Sequence, residues 1–243
     1  MQTLWLAALL SFGTTTTSLH DVPSGSLIFL ENASSVVEYS TRGKIGHVAL
    51  AFQDGGETWI YEATPAKVRR VTAAEYGAEL ARINARRDED EQIREWLLVP
   101  KQPYTGDELA RMREFVDAQI GRRYSVRNYV RGKSDGPHTA KVGPLEVQVA
   151  VDTGERKSSD GIHCAELASS TLSASGRYDF ADFHKIHPQA LYTAVLATHQ
   201  APVQVAVATP ATAETWCVRA QRRWAGYWNW CRWGCGEAWA FCW

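Results

Sequence analysis

Gly46-His47-Val48-Ala49-Leu50-Ala51-Phe52, then Gln53-Asp54-Gly55-Gly56-Glu57-Thr58, then Trp59-Ile60-Tyr61-Glu62-Ala63, is the stretch that decides the fold. Its first and third pieces are short, apolar and partly β-branched or aromatic, which marks buried strands. The Asp-Gly pair between them is the chemistry of a tight hairpin turn, so the two strands are expected to pair antiparallel. That pairing brings His47 and Glu62 to one region of a sheet. Whether they share a face depends on register, which sequence does not fix. Upstream, Gly25-Ser26-Leu27-Ile28-Phe29-Leu30 reads as a further buried strand.

Working outward, the next informative stretch is Asp160-Gly161-Ile162-His163-Cys164-Ala165-Glu166-Leu167-Ala168 and its continuation to Leu172. Ala165, Ala168 and Leu172 fall at helical spacing, and Gly176 is a natural stop. Cys164 would then sit in the first turn. Backbone N–H groups there point outward and the helix dipole favours an anion, so a thiolate is stabilised before any side chain helps. A base, an orienting carboxylate and a thiol are the three parts that thiol catalysis needs. Each has a plainer reading. A small cysteine in an alanine-rich helix is often only packed core, a strand histidine is often structural, and Glu62 could pair with Arg69 or Arg70. The conjunction favours catalysis.

Between these stretches, Lys67 to Val71 reads as extended and Thr72 to Arg87 as helical. Trp96 to Pro100 is a short strand ended by proline. Thr105-Gly106-Asp107-Glu108 opens a helix carrying Leu109, Met112, Phe115, Val116 and Ile120, with Gly121 as its stop. Leu145 to Val151 alternates with period two, which predicts a strand, as a hairpin or flap beside the cleft or as a surface insertion. His184 and His187 are three apart, but Pro188 favours a loop over a metal site. Pro188 to Leu196 should form a closing helix or strand, and Val203 to Val207 an edge strand.

The order Gly25 to Leu30, Lys44 to Leu50, Tyr61-Glu62-Ala63, Gly121-Arg122-Arg123-Tyr124 and Cys164-Ala165-Glu166-Leu167 resembles the permuted papain-like amidases of the NlpC/P60 superfamily, the YiiX-like group. In ordinary members the cysteine helix precedes the histidine strand; here the order is reversed, as in the permuted group. The resemblance spans about residues 24 to 195. It implies an α+β fold in which an antiparallel sheet packs against the cysteine-bearing helix. It implies Cys164 as nucleophile, His47 as general base and Glu62 as the residue that orients the imidazole. Tyr124 matches a tyrosine near the oxyanion site, and Glu166 the acidic residue of the cysteine motif. No metal and no organic cofactor is required. Ala165 stands where relatives commonly carry serine, and the gap from Tyr124 to Cys164 is long. The implied substrates are amides in cell-envelope peptides or lipid-like acyl amides. The rival readings are an acyltransferase or thioesterase with the same triad, and a noncatalytic cell-envelope binding module.

At 243 residues the chain holds one well-buried domain with additions, taken here as residues 21–208. A net charge of −1 gives no electrostatic case for nucleic acid or an anionic membrane. Arg82 to Arg87 is followed at once by Asp88-Glu89-Asp90-Glu91, a mixed-charge solvated segment. Residues 1–20, with the run Leu4-Trp5-Leu6-Ala7-Ala8-Leu9-Leu10, suit a secretory signal better than a membrane span, which needs roughly 20 apolar residues. No basic residue precedes the run and no Ala-x-Ala follows it, so a buried first helix or a misplaced start codon compete with export.

Residues 209–243 change character. Cys217, Cys231, Cys235 and Cys242 lie there among seven of the ten tryptophans. In an exported protein, four cysteines allow two disulfides in three connectivities. The same composition, without lysine, is also what a GC-rich gene yields when read out of frame, and no function is assigned to it.

Overall fold

A computed structural model describes residues 19–34, 38, 43–124, 134–142, 145–152, 161–180 and 186–207. Six strands form an antiparallel sheet: β1 (Ser26–Glu31), β2 (Ile45–Asp54), β3 (Glu57–Ala63), β4 (Val68–Thr72), β5 (Arg94–Leu98) and β9 (Val203–Val205). Their order is β4-β3-β2-β1-β5-β9. β1 lies at the centre and is buried at all six positions, which explains why its sequence is a continuous apolar run rather than an alternating one.

The β2–β3 hairpin turns through Gly55 and Gly56, with φ of 61° and 84°. Two consecutive positive φ values define the type I′ turn that matches the twist of the flanking strands, and glycine adopts them without strain. The ladder runs from Asp54↔Glu57 to Leu50↔Tyr61. His47 and Glu62 lie just beyond its last pair.

Helices cover both faces. On one side, α3 (Cys164–Ala174) and α4 (Pro188–Val195) pack against β2, and α2 (Gly106–Asp117) packs on α3. Leu27, Phe29, Val48, Leu50, Phe52, Met112, Leu167 and Leu191 meet in that core. On the other side, α1 (Ala73–Asn84) lies over β3 and β4 and buries Tyr76 and Leu80 against Ile28, Ala49, Ala51 and Ile60. Leu19 joins this second core, and the carbonyl of His20 accepts from Gln53 Nε2 at 3.0 Å. Thr72 and Thr105 open α1 and α2 with reciprocal capping boxes to Glu75 and Glu108, the arrangement a Thr-x-x-Glu spacing encodes.

β6 (Ser134–Val142) and β7 (Leu145–Asp152) pair antiparallel, and with β8 (Tyr178–Asp179) they form a second, three-stranded sheet. The alternating run is therefore a hairpin, and β7 lies against α4. The sequence reading of α2 ran too far. The helix ends at Asp117, so Ile120 lies beyond it, 46% exposed. The chain then turns at Gly121 with φ of 84°. Arg87, read as part of a solvated segment, donates instead to the carbonyls of Asn32 and Glu91. His184, residues 1–18 of the leader read over 1–20, and the whole of the tail read over 209–243 lie outside the described residues. No helix among the described residues is long and apolar enough to cross a membrane.

Gly25 leads the chain into β1 with φ of 84°, and a Cβ there would meet Tyr104 Cε2 at 2.5 Å. Gly25→Ala therefore adds a backbone strain and a ring clash. Together they are expected to lower stability by about 2 kcal/mol or more, read as a shift in the midpoint of thermal or urea unfolding.

Candidate active site

The site is assembled from one strand end, a neighbouring strand and one helix start. His47 lies near the beginning of β2, Glu62 near the end of β3 and Cys164 at the first position of α3. Their side chains converge although the residues come from opposite thirds of the chain. His47 Nε2 donates to Glu62 Oε2 at 2.7 Å. The two residues thus share a face, the point sequence left open. With Nε2 turned to the carboxylate, Nδ1 is the ring atom left to face Cys164, which acts on the imidazole through its charge. All three are buried: Glu62 is 0% exposed, Cys164 1% and His47 6%.

Burial of that depth opposes every charge in the site, so the partners must outweigh it. For Cys164, burial pushes the thiol up. The charge of His47, hydrogen bonds from His163 and His47, and the charge of His163 more than offset this and bring it down to about 6. For His47, burial pulls the imidazole down, but the Cys164 thiolate and Glu62 carry it up to about 10. The two groups titrate as a pair. Between about pH 6 and about pH 10 that pair is thiolate and imidazolium. Its contribution to stability fades as pH falls through the lower value or rises through the upper one. Glu62 is opposed by burial and held below the usual carboxylate range by His47 and Arg69. It remains a carboxylate across this window.

Glu62 also meets a partner that the sequence offered only as an alternative. Arg69, on β4, places Nε at 2.8 Å and Nη2 at 2.6 Å from Glu62 Oε1. Each carboxylate oxygen therefore has its own partner: Oε2 takes the imidazole and Oε1 the guanidinium. The other candidate, Arg70, is no more exposed than Arg69 but points away from Glu62: it bonds Asp54 Oδ2 at 2.8 Å and stacks over the Trp59 ring at 4.0 Å. Strand alternation separates the two arginines.

His163 was not singled out by sequence. It is the N-cap of α3, and its Nδ1 accepts from the Glu166 backbone N–H at 3.3 Å. Glu166 Oε2 in turn accepts from the His163 backbone N–H at 3.4 Å and lies 3.8 Å from His163 Nε2. The Glu166 carboxylate is thus turned onto the helix's own N-terminus. The signal was present as a polar residue three before a glutamate at a helix start; histidine in place of serine or threonine hid it. His163→Ala should raise the pH at which Cys164 ionises and, by removing the cap, lower stability by about 1 kcal/mol. Thiolate absorbance and thermal unfolding read the two effects separately.

Tyr124 reaches the same end of the fold by a different route. It forms a parallel bridge with Ile162, whose N–H donates to the Arg123 carbonyl at 3.0 Å. That contact sets Tyr124 two residues from Cys164 across the bridge, half-buried against the core. Among the described residues, no group of three or more His, Cys, Asp or Glu is arranged to hold a metal ion. What the described groups form is a buried cysteine, histidine and carboxylate triad at a helix N-terminus, within an α+β fold.

No protein-family model matches the chain, and no curated protein does. Among solved structures, it is similar to one described as the metalloprotein yiiX from Escherichia coli O157:H7. The identity is 13% and the TM-score 0.47, over 78% of this chain and 99% of that one.

Proposed function

We propose that the protein is a cysteine-dependent amide hydrolase working through Cys164, His47 and Glu62. The observation that carries this reading is the 2.7 Å hydrogen bond from His47 to the wholly buried Glu62, with Cys164 at a helix start near enough to act electrostatically on the same imidazole. A packed core cysteine needs no such partners, and burying three ionisable groups together is costly unless they pair.

In the proposed cycle the Cys164 thiolate attacks the amide carbonyl carbon and forms a tetrahedral oxyanion. The backbone N–H of Cys164 and the Tyr124 hydroxyl are assigned to hold that oxygen. As the C–N bond breaks, His47 Nδ1–H gives its proton to the leaving amine. His47, now neutral, takes a proton from water, whose oxygen attacks the thioester and frees the acid. Glu62 keeps the imidazole in the tautomer that both transfers need. The substrate class we assign is a cell-envelope peptide amide or an acyl amide, and export is part of the proposal, supported by the apolar run from Leu4 to Leu10.

The test is incubation of the purified protein with peptide amides, N-acyl amides and a p-nitrophenyl ester, with Cys164→Ala alongside. Amine or nitrophenol release and a transient acyl adduct on the Cys164 peptide are expected in the wild type only. Equal release by Cys164→Ala, or no adduct from any of these probes, would contradict the reading.

A further inference from the structure

Glu62 sits at the centre of a line of side chains that continues past the triad. Beyond its contact with His47, its second oxygen takes two N–H groups of Arg69, and Arg69 Nη2 also bonds Glu79 Oε2 on α1 at 2.8 Å. Thiolate, imidazolium, carboxylate, guanidinium and carboxylate thus alternate in sign from Cys164 to Glu79. The burial falls along the same line: Glu62 is fully enclosed, whereas the side chains of Arg69 and Glu79 are 27% and 32% exposed. Tyr76, Leu80 and Ile83 of α1 close over the junction.

We propose that Arg69 is a positioning residue of the catalytic site, holding Glu62 ionised and turned so that Oε2 stays on His47. The proposal rests on the reading of Cys164, His47 and Glu62 as a triad. Its physical basis is that a carboxylate with no exposed surface needs compensation for the water it has lost. His47 supplies one contact, and the convergent N–H pair of Arg69 supplies the rest at charge-assisted distances. Two donors of one rigid guanidinium on a single oxygen also fix the plane of the carboxylate, which a lysine ammonium cannot do. Glu79 holds the guanidinium from the other side. The groups that face Glu62 are His47 from β2, Arg69 from β4, and Tyr76 and Glu79 from α1. Glu95 of β5 acts on Tyr76 from further along the same layer. Of these, only Arg69 and His47 hydrogen-bond the Glu62 carboxylate among the described contacts.

The experiment is alkylation of Cys164 by iodoacetamide from pH 5 to 9, read at the Cys164 peptide by mass spectrometry. Wild type, Arg69→Gln, Arg69→Lys, Glu62→Gln and Glu62→Gln with Arg69→Gln are compared. Arg69→Gln should raise the midpoint by about one pH unit, the size of effect that a lost charge partner has on a buried neighbour. Arg69→Lys, retaining the charge but not the planar, fixed pair of donors, should fall between it and the wild type, and carries the test alone if Arg69→Gln does not fold. In the Glu62→Gln background, removing Arg69 should raise the midpoint no further. A profile that superimposes on the wild type in both Arg69 variants would show a merely structural arginine, as would an equal shift in both backgrounds. A wild-type midpoint at the ordinary thiol value would instead overturn the triad itself, and the Arg69 role with it.

Discussion

His47→Ala should move the ionisation of Cys164 from about 6 to above roughly 8.5, the value of a free thiol. The reason is that the two influences on this thiol are large and opposed. Burial alone would place it above the free value, and His47 is the largest of the effects that reverse this. Removing the imidazole leaves the burial and takes away both a charge and a hydrogen bond. The helix N-terminus and His163 remain, but they act on the thiol with the weaker part of the stabilisation. The midpoint is the quantity to measure. A thiolate of lower pKa is intrinsically less nucleophilic, so the alkylation rate at one pH would understate the change. Amide hydrolysis should vanish as well, because the same atom that holds the thiolate donates the proton to the leaving amine.

Glu62→Gln is expected to be nearly as damaging, for a reason that lies in Arg69. The guanidinium presents two N–H groups to Oε1 of residue 62, so a glutamine there must turn its amide oxygen to Arg69 and its NH2 to His47. His47 Nε2 would then have to accept, and the neutral ring would carry its proton on Nδ1, facing Cys164. In that tautomer Nδ1 cannot take the thiol proton. A loss of about 10³ to 10⁴ in kcat/KM follows, the scale of a triad locked in the wrong tautomer. The replacement also takes the negative charge from beside a half-buried guanidinium and weakens its hydrogen bonds to neutral ones, so stability should fall by about 1–3 kcal/mol. Steady-state kinetics on whichever amide the substrate panel identifies, with urea unfolding alongside, separates the two effects.

Much of this site was legible because each part sits in a local pattern. The Asp-Gly turn fixed the β2–β3 pairing, and with it the neighbourhood of His47 and Glu62. The alanine-rich run with its glycine stop placed Cys164 at a helix start. The α+β class and the sheet packed on the cysteine-bearing helix follow from the same stretches and are what the structure has. The parts that sequence left open are those set by three-dimensional choice among equals. Arg69 and Arg70 are adjacent and chemically identical, and only the strand's alternation decides that one meets Glu62 while the other stacks on Trp59. His163 is hidden in the sequence because histidine is a rare cap in a position that serine, threonine, aspartate or asparagine usually fills. Ile120 kept the helical spacing of α2 after the backbone had left the helix. Apolar periodicity reports which residues could share a face, not where the hydrogen bonds stop.

The central claim is that Cys164 exists as a thiolate held by His47 at neutral pH. The most direct measurement is the thiolate absorbance near 240 nm, titrated from pH 4 to 10 as the difference between wild type and Cys164→Ala, which removes every other cysteine from the signal. A single thiolate's absorbance is expected already at pH 7, to be lost as pH falls through about 6. A difference signal that emerges only above roughly pH 8.5 would contradict it, and would return Cys164 to the hydrophobic core.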